Sequence, residues 1–411
     1  MPVKLSDKDA QEALNLLARY GTCHQAAMAS GMPASSIRVR VKAAERRGLT
    51  PDPDIVPEDE LKVSALEYKV KSLQAQLKRV ELEELGAREI RKTIFKIADL
   101  EPVPPEWVIK PPAKPNKGPG VPTLLLSDLH WGEVVASSEL PVDNEYNMRI
   151  AKTRLRQVIH NTIEVLHKHM VVPKYDGLVI AMGGDMFSGN IHDLNETNDK
   201  PLMLAFLDLL GCIVWSIDEL LKWFPNLYIV GVSGNHSRNT FRPTFKQRNY
   251  SNFDWLLYQM LQRHYVPAEG PGDKRIAFNI PDGTDASYSV LGHDYLLTHG
   301  DQFRSGDSII GPIGPVLRGL QKKKNRQSQV GKPFTTMLLG HWHQLTFLGQ
   351  RCIINGSLCG YNEFASFHNM PFEPPAQALW LTNADRGITM QLPIHATTKV
   401  QGKKSEWVTD G

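Results

Sequence analysis

Five apolar runs in this chain each stop at a cluster of Asp, His or Asn, and this repeated junction constrains the fold more than any other feature. The runs are TLLLSD ending at Asp128, GLVIAMGGD ending at Asp185, LYIVGVSGNH ending at Asn235 and His236, YLLTH ending at His299, and TMLLGHWH ending at His341 and His343. Short apolar runs bounded by turn residues read as strands buried on both faces. Helical stretches lie between several of them, at Met148–Met170, Leu202–Phe224 and Asn252–His264. The expected class is α/β, and in open α/β sheets ligands collect at the carboxyl ends of strands. All five motifs could therefore converge on one edge. In Asp-x-His and His-x-His at a strand end, the i and i+2 side chains are expected to share a side. Carboxylate, amide and imidazole donors suit divalent Mn, Fe or Zn and not a thiol-rich structural zinc site. Asp128, His130, Asp185, Asn235, His299, His341 and His343 are too many ligands for one tetrahedral ion and enough for two ions sharing a bridge.

The order of these motifs resembles that of the calcineurin-like metallophosphoesterase superfamily, from Asp128 through the Asn355-Gly356-Ser357 turn. The resemblance implies a metallophosphoesterase-type β-sandwich flanked by helices. It implies that Asp128, His130 and His343 bind a first metal, that Asn235, His299 and His341 bind a second, and that Asp185 bridges them. Two divalent ions are implied, with Mn favoured and Fe or Zn as alternatives. The implied reaction is in-line attack on a phosphodiester by a hydroxide bridging metals roughly 3.5–4 Å apart. His236 is implied to touch the scissile phosphate, steadying charge or protonating the leaving oxygen. The turn at 355–357 is expected to close the sheet edge. Two positions depart from the family habit: Ser188 stands where an acidic residue is common, and Ser237-Arg238 follows Gly-Asn-His where Asp or Glu is common. Arg238 is expected either to hold a substrate phosphate bidentately or to be a surface arginine.

The N-terminal part reads differently. Residues 1–50 form a small all-α unit by periodicity, with helices expected over Asp7–Tyr20, Thr22–Ala29 and Pro33–Gly48, separated at Gly21 and Gly31. The third helix is expected to have Ser35 or Ala34 near its N-cap. The segment CHQAAMASGMPASSIRVRVKAAERRG resembles a helix-turn-helix, with Ile37, Val41 and Ala44 facing inward. Its third helix carries Arg38, Arg40, Lys42, Arg46 and Arg47, which are expected either to contact DNA or to form a solvated basic face. Residues 58–97 are expected to form a coiled-coil helix, because Val63, Leu66, Val70, Leu73, Leu77 and Val80 keep an a/d stripe. That stripe predicts a homodimer through 63–80, or else a long helix docked on its own chain. Residues 98–122 are proline-rich and read as an extended linker to a catalytic domain at 123–400, with a tail at 401–411.

Charge placement bears on substrate. The net charge of +3 is small, but Arg238, Arg242, Lys246 and Arg248 follow the third motif with Phe241, Phe245 and Tyr250 interleaved. A second basic cluster, Arg318, Lys322, Lys323, Lys324, Arg326 and Lys332, lies between the fourth and fifth motifs amid Gly311, Gly314 and Gly319, and reads as a loop. Arg242, Lys322, Lys323 and Lys324 are expected to contact nucleic acid, or else to be solvated. His192 and Asp193 are expected to line the cleft or to lie in an ordinary polar loop.

No apolar run is long enough to cross a bilayer, so no membrane partner is expected. Met1–Ala10 is charged and lacks an apolar signal core, which predicts a cytoplasmic protein. The pairing of such a head with such a catalytic domain resembles phage-encoded proteins, in which case the compartment is the host cytoplasm. Cys23, Cys212, Cys352 and Cys359 lack CxxC spacing and are expected to be free buried thiols. Three functions remain open: a metal-dependent nuclease acting on DNA, similar to the nuclease subunit of double-strand-break repair complexes; a phosphomonoesterase or phosphoprotein phosphatase tethered to DNA or a partner; and a DNA-binding platform without catalysis. The complete ligand set disfavours the third.

Overall fold

The computed structural model describes residues 5–53, 103–110, 118–189, 198–267, 272–303 and 313–397. The expected coiled coil at 58–97, its dimer stripe at 63–80, His192, Asp193 and the tail at 401–411 lie outside the described residues. The chain divides into two compact units, 1–100 and 101–411.

In the first unit, helices α1 (Asp7–Tyr20), α2 (Cys23–Ser30) and α3 (Ala34–Arg46) follow the apolar periodicity of the sequence. Ser6 and Thr22 cap the first two helices by accepting from Asp9 N and Gln25 N, at 3.1 and 3.2 Å. The N-cap of α3 is Pro33, one or two residues before the position expected, because its fixed φ suits a helix start and its missing N–H is no loss there. Ala10, Ala13, Leu14, Ala26, Ile37, Val41 and Ala44 form the core. Of the five basic residues on or beside α3, Arg40 lies 3.7 Å from Asp9, and Arg47 bonds Asp7 at 2.7 Å and the Leu5 carbonyl at 3.0 Å. These two serve the acidic start of α1, and Arg38, Lys42 and Arg46 make up the exposed basic face.

The second unit is a sandwich of two mixed sheets with helices on both outer faces. One sheet has strand order β11-β10-β1-β2-β3-β4 and the other β5-β6-β7-β9-β8. The first contains β1 (Val121–Leu126), β2 (Leu178–Met182), β3 (Leu227–Gly231), β4 (Ile276–Asn279), β10 (Ala376–Asn383) and β11 (Gly387–His395). The second contains β5 (Asp285–Val290), β6 (His293–Thr298), β7 (Thr336–Leu339), β8 (Thr346–Leu348) and β9 (Cys352–Ile354). Strands β1 to β4 run parallel, as do β6, β7 and β9. The period-2 alternation of side chains sorts each apolar run between two cores. Leu124, Leu126, Ile180 and Met182 face the helices α5 (Met148–Lys168), α6 (Leu202–Leu220) and α7 (Phe253–Tyr265). Leu125, Val179, Ala181 and Val230 face Tyr288, Leu297, Leu338 and Ile353 of the other sheet. That is why these runs are apolar without a break.

Within the expected linker, Glu106–Ile109 form a short helix, α4, and its Val108 is fully buried in the core between the sheets. The Val108 carbonyl accepts from Leu291 N at 2.7 Å. This part of 98–122 is docked on the sandwich and is not extended spacer. The second basic cluster also departs from expectation. Residues Ile313–Gln329 form helix α8 and not a loop. Its inner face carries Val316, Leu320, Lys323 and Gln327 at helical spacing, so Lys323 is carried into the protein. The Lys323 ammonium donates to Asp285 at 2.5 and 2.8 Å and to Gln302 at 2.7 Å, and Arg326 also bonds Asp285. Lys323 is therefore a buried structural partner and not a nucleic-acid contact. Lys322 is exposed, and the Lys324 ammonium sits 5.9 Å from the Phe334 ring.

Candidate metal centre

The five motifs meet at the carboxyl ends of β1, β2, β3, β6 and β7, but not by strand pleating. Asp128, His130, Asp185, His341 and His343 all have positive φ, between 47° and 68°. Non-glycine residues in that left-handed region are uncommon and concentrate where function imposes them. The ligands are thus presented by left-handed turns just past the strand ends, which replaces the shared strand side expected for Asp-x-His and His-x-His. Bare glycines make room for these turns. A Cβ on Gly234 would collide with the Asp185 carboxylate, and one on Gly340 with that of Asp128.

Two groups of donors result. In one, single ligand atoms of Asp128, His130 and His343 lie within 4.8 Å of one another; in the other, those of Asp185, His299 and His341 do so. Asn235 joins the second group, with its Oδ1 3.1 Å from His299 Nε2. The imidazole nitrogens Nε2 of His130 and His343 face each other at 3.0 Å, and His299 Nε2 lies 3.0 Å from Asp185 Oδ2. Buried and half-buried nitrogens and carboxylate oxygens gathered in this way fit divalent metal ions. The tautomers fit as well: His299 Nδ1 donates to the Gly183 carbonyl at 2.8 Å, which turns Nε2 inward. The seven residues predicted as ligands are therefore brought together.

Charge within the centre is arranged in pairs. Burial works against ionised Asp185, but His299 and His236 hold its pKa well below the ordinary carboxylate value. Burial would also lower His299, yet Asp185, followed by Asp128 and Asp301, raises it to about 10. His343 is raised by Asp128 against the same burial, whereas burial takes His130 and His341 down to about 4. Without metal, His299 is therefore protonated at neutral pH. Its folded pKa of about 10 lies above the ordinary 6.5, so the stability from the His299–Asp185 pair is complete below that ordinary value and is lost as pH rises through the folded one. A metal ligand must be neutral imidazole, so loading Mn should release roughly one proton at this site near pH 7.5. Calorimetry in two buffers of different ionisation enthalpy measures this, and identical heats in both would contradict it.

Residues that the sequence did not single out hold the ligands in place. Glu133 is buried 3.3 Å from His130 Nδ1, at ion-pair distance but without hydrogen-bond alignment, and accepts from Ser188 Oγ and Asn362 Nδ2, each at 3.0 Å. Asp254, at the start of α7, is fully buried and accepts from Asp185 N at 3.0 Å, Met186 N at 3.1 Å, Gly234 N at 2.9 Å and Ser237 Oγ at 2.5 Å. Burial and the Asp185 charge push its pKa up to about 6. The only local signal was an acidic residue in a helix first turn, which reads as a dipole partner. Asn355 lies between the sheets, donating to Ser127 Oγ and Gln377 Oε1, both at 2.9 Å, and accepting from Ala378 N at 2.8 Å. The 355–357 turn follows β9, an inner strand, so it clasps β1 and β10 and closes no edge.

His236 stands beside the ligands with its ring 4.7 Å from that of His130, edge to face. Its Nδ1 lies 3.3 Å from the Ser188 carbonyl, and its backbone N–H donates to Asp185 Oδ1 at 2.7 Å. The half-buried Arg238 is tied into its own loop. It folds back onto the carbonyls of Asn235 at 2.6 Å, Thr240 at 3.1 Å and Phe241 at 3.4 Å. Three local carbonyls take three of its five N–H donors, so Arg238 shapes the loop. Cys352 and Cys359 are buried, and Cys23 and Cys212 are half-buried; all four are free.

No family profile matches the chain. A curated relative, the SPbeta prophage-derived uncharacterized protein YonJ of Bacillus subtilis (strain 168), is 24% identical over 241 residues, covering 57% of this chain and 54% of the relative. The chain thus matches about half the length of that relative. Among solved structures, Vps29 of Entamoeba histolytica complexed with zinc is 13% identical with a TM-score of 0.28, covering 67% of this chain and 99% of that one. The sulfate thiohydrolase SoxB of Thermus thermophilus is 11% identical with a TM-score of 0.28, covering 67% and 57%. At such low scores the side chains around Asp185, and not these likenesses, bear on function. Among the described residues, no helix is long and apolar enough to cross a membrane.

Proposed function

We propose that this chain is a two-metal phosphodiesterase acting on DNA. The observation that carries the reading is the pair of donor sets, Asp128, His130 and His343 in one and Asp185, His299 and His341, joined by Asn235, in the other. When bound, two divalent ions would neutralise phosphoryl oxygens and lower the pKa of a water. The protein's own residues do the rest. Asp128 is held by the His341 backbone N–H at 2.8 Å and by Ser127 Oγ, which fixes its carboxylate plane. His236, with Nδ1 turned to Ser188, keeps Nε2 for the substrate side and there donates a proton to the leaving oxygen. Asn235 is steadied by Arg238 on its carbonyl. The exposed Arg38, Lys42 and Arg46 of α3 favour DNA as the polymer over a small monoester. Nitrogen and oxygen donors without thiolate suit Mn, Fe and Zn alike, and Mn is the ion supplied first.

The test supplies Mn or a chelator to the purified chain with single- and double-stranded DNA, bis-p-nitrophenyl phosphate and p-nitrophenyl phosphate. Mn-dependent cleavage of DNA and of the diester is expected, and His236→Ala should lower kcat by roughly a hundredfold or more while Mn stays bound. Turnover of the monoester alone would move the function to a phosphatase. Bound Mn without turnover of any substrate would make the fold a platform.

A further inference from the structure

The loop that leaves the metal centre after His236 is a rooted finger, and its tip has no counterpart in the chemistry above. At its base, Arg238 pairs with Asn252 in an isolated antiparallel bridge. Asn239 N donates to Ser251 O at 2.9 Å and Phe253 N to Ser237 O at 2.8 Å. Arg238 ties three carbonyls of the outgoing arm. On the returning arm, Arg248 bonds Asp301 at 2.8 Å, and Asn249 donates to the carbonyls of Pro281 and Gly283 at 2.9 and 2.8 Å. Both roots are thus fixed to the sandwich next to the ligands Asn235 and His299.

The tip presents Phe241, which is 90% exposed, and a fully exposed Phe245, together with exposed Arg242 and Lys246. Ser237 to Phe253 contains no Asp or Glu. Of its four cations, Arg238 and Arg248 serve the root, which leaves Arg242 and Lys246 beside the two rings. A purely solvated loop has no reason to hold two phenylalanines in water on a braced base. Alternating rings and cations match a single nucleic-acid strand, whose unpaired bases stack on aromatics while its phosphates meet the charges. In a duplex the base faces are already stacked and cannot use Phe241 or Phe245.

We infer that the 239–247 finger binds single-stranded nucleic acid and feeds one strand to the metal centre. This inference rests on the phosphodiesterase reading for what happens next, but the binding is measurable without it. The experiment uses the full chain in chelator, with fluorescein-labelled dT20 and a duplex of equal length, followed by anisotropy. Phe241→Ala/Phe245→Ala should weaken dT20 binding by at least about tenfold, since each stacked base contributes roughly 1–3 kcal/mol, and should leave duplex binding unchanged. Arg242→Gln/Lys246→Gln should reduce the slope of log K against log salt for dT20 by about 1.4, at about 0.7 for each phosphate no longer neutralised. With Mn, the phenylalanine variant should keep the turnover of bis-p-nitrophenyl phosphate and raise KM for single-stranded DNA. Unchanged dT20 binding in both variants would overturn the inference. So would loss, in the phenylalanine variant, of binding to vesicles of phosphatidylcholine and phosphatidylserine with dT20 binding intact, which would make the finger a membrane contact. If no phosphodiester is turned over while the dT20 result holds, the phosphodiesterase reading fails and the finger stands.

Discussion

Asp185→Ala should lose phosphodiester turnover by at least on the order of a thousandfold, the largest effect on activity of any single substitution in this chain. On the two-metal reading Asp185 is the ligand that both ions share; its Oδ2 lies 3.0 Å from His299 Nε2 and its Oδ1 accepts from His236 N at 2.7 Å. It is 1% exposed, so water cannot take over for the missing carboxylate. A bound metal is worth several kcal/mol of transition-state charge stabilisation, and removal of a shared ligand weakens both ions at once. The readouts are Mn content by mass spectrometry and turnover of bis-p-nitrophenyl phosphate. Two bound Mn ions with turnover within tenfold of the parent would show that Asp185 is not the bridge.

Asp254→Ala should have the largest effect on stability. The substitution leaves three buried backbone N–H groups and the Ser237 hydroxyl without the acceptor they share. Each such loss costs roughly 1–3 kcal/mol before relaxation, so a total near roughly 4 kcal/mol is expected, at the upper end for one substitution. At roughly 2–4 °C per kcal/mol for a domain of this size, the melting temperature should fall on the order of 10 °C. Asp254→Asn keeps the volume but turns an amide N–H toward donors. It should stay closer to the parent in melting while weakening Mn binding by roughly 10–100-fold, as for other groups that orient ligands. Asp254→Ala melting with the parent, or Asp254→Asn binding Mn equally well, would reduce Asp254 to a bystander.

The pairing of Asp254 with the Asp185 and Gly234 loops also shows where local reading stops. Ser188 and Ser237 each donate to an acid from elsewhere in the chain: Glu133 from the turn after His130, and Asp254 from the first turn of α7. Each pairing depends on which loops the sheet brings side by side, and no spacing rule reports that. Lys323 is a similar case. In sequence it belongs to a run of three lysines, and only the helical phase of α8, set by Val316 and Leu320, turns it toward Asp285.

The sequence by itself showed five of the strands, β1, β2, β3, β6 and β7, and the Asp, His and Asn residues that end them. Unbroken apolar runs must be buried on both faces, and Asp, His and Asn at their ends have no place in such cores. It also determined the three N-terminal helices, because caps and apolar period are local properties. The tertiary structure alone decided the left-handed backbone at five ligands, the inward fold of Arg238, and which basic residues stay outside. These depend on contacts between segments far apart in the chain: Gly340 beside Asp128, Gly234 beside Asp185, and Asp285 across from Lys323. A left-handed turn at a non-glycine residue is unfavourable on its own. It persists here because packing of the neighbouring strand ends leaves the ligand loops no other path.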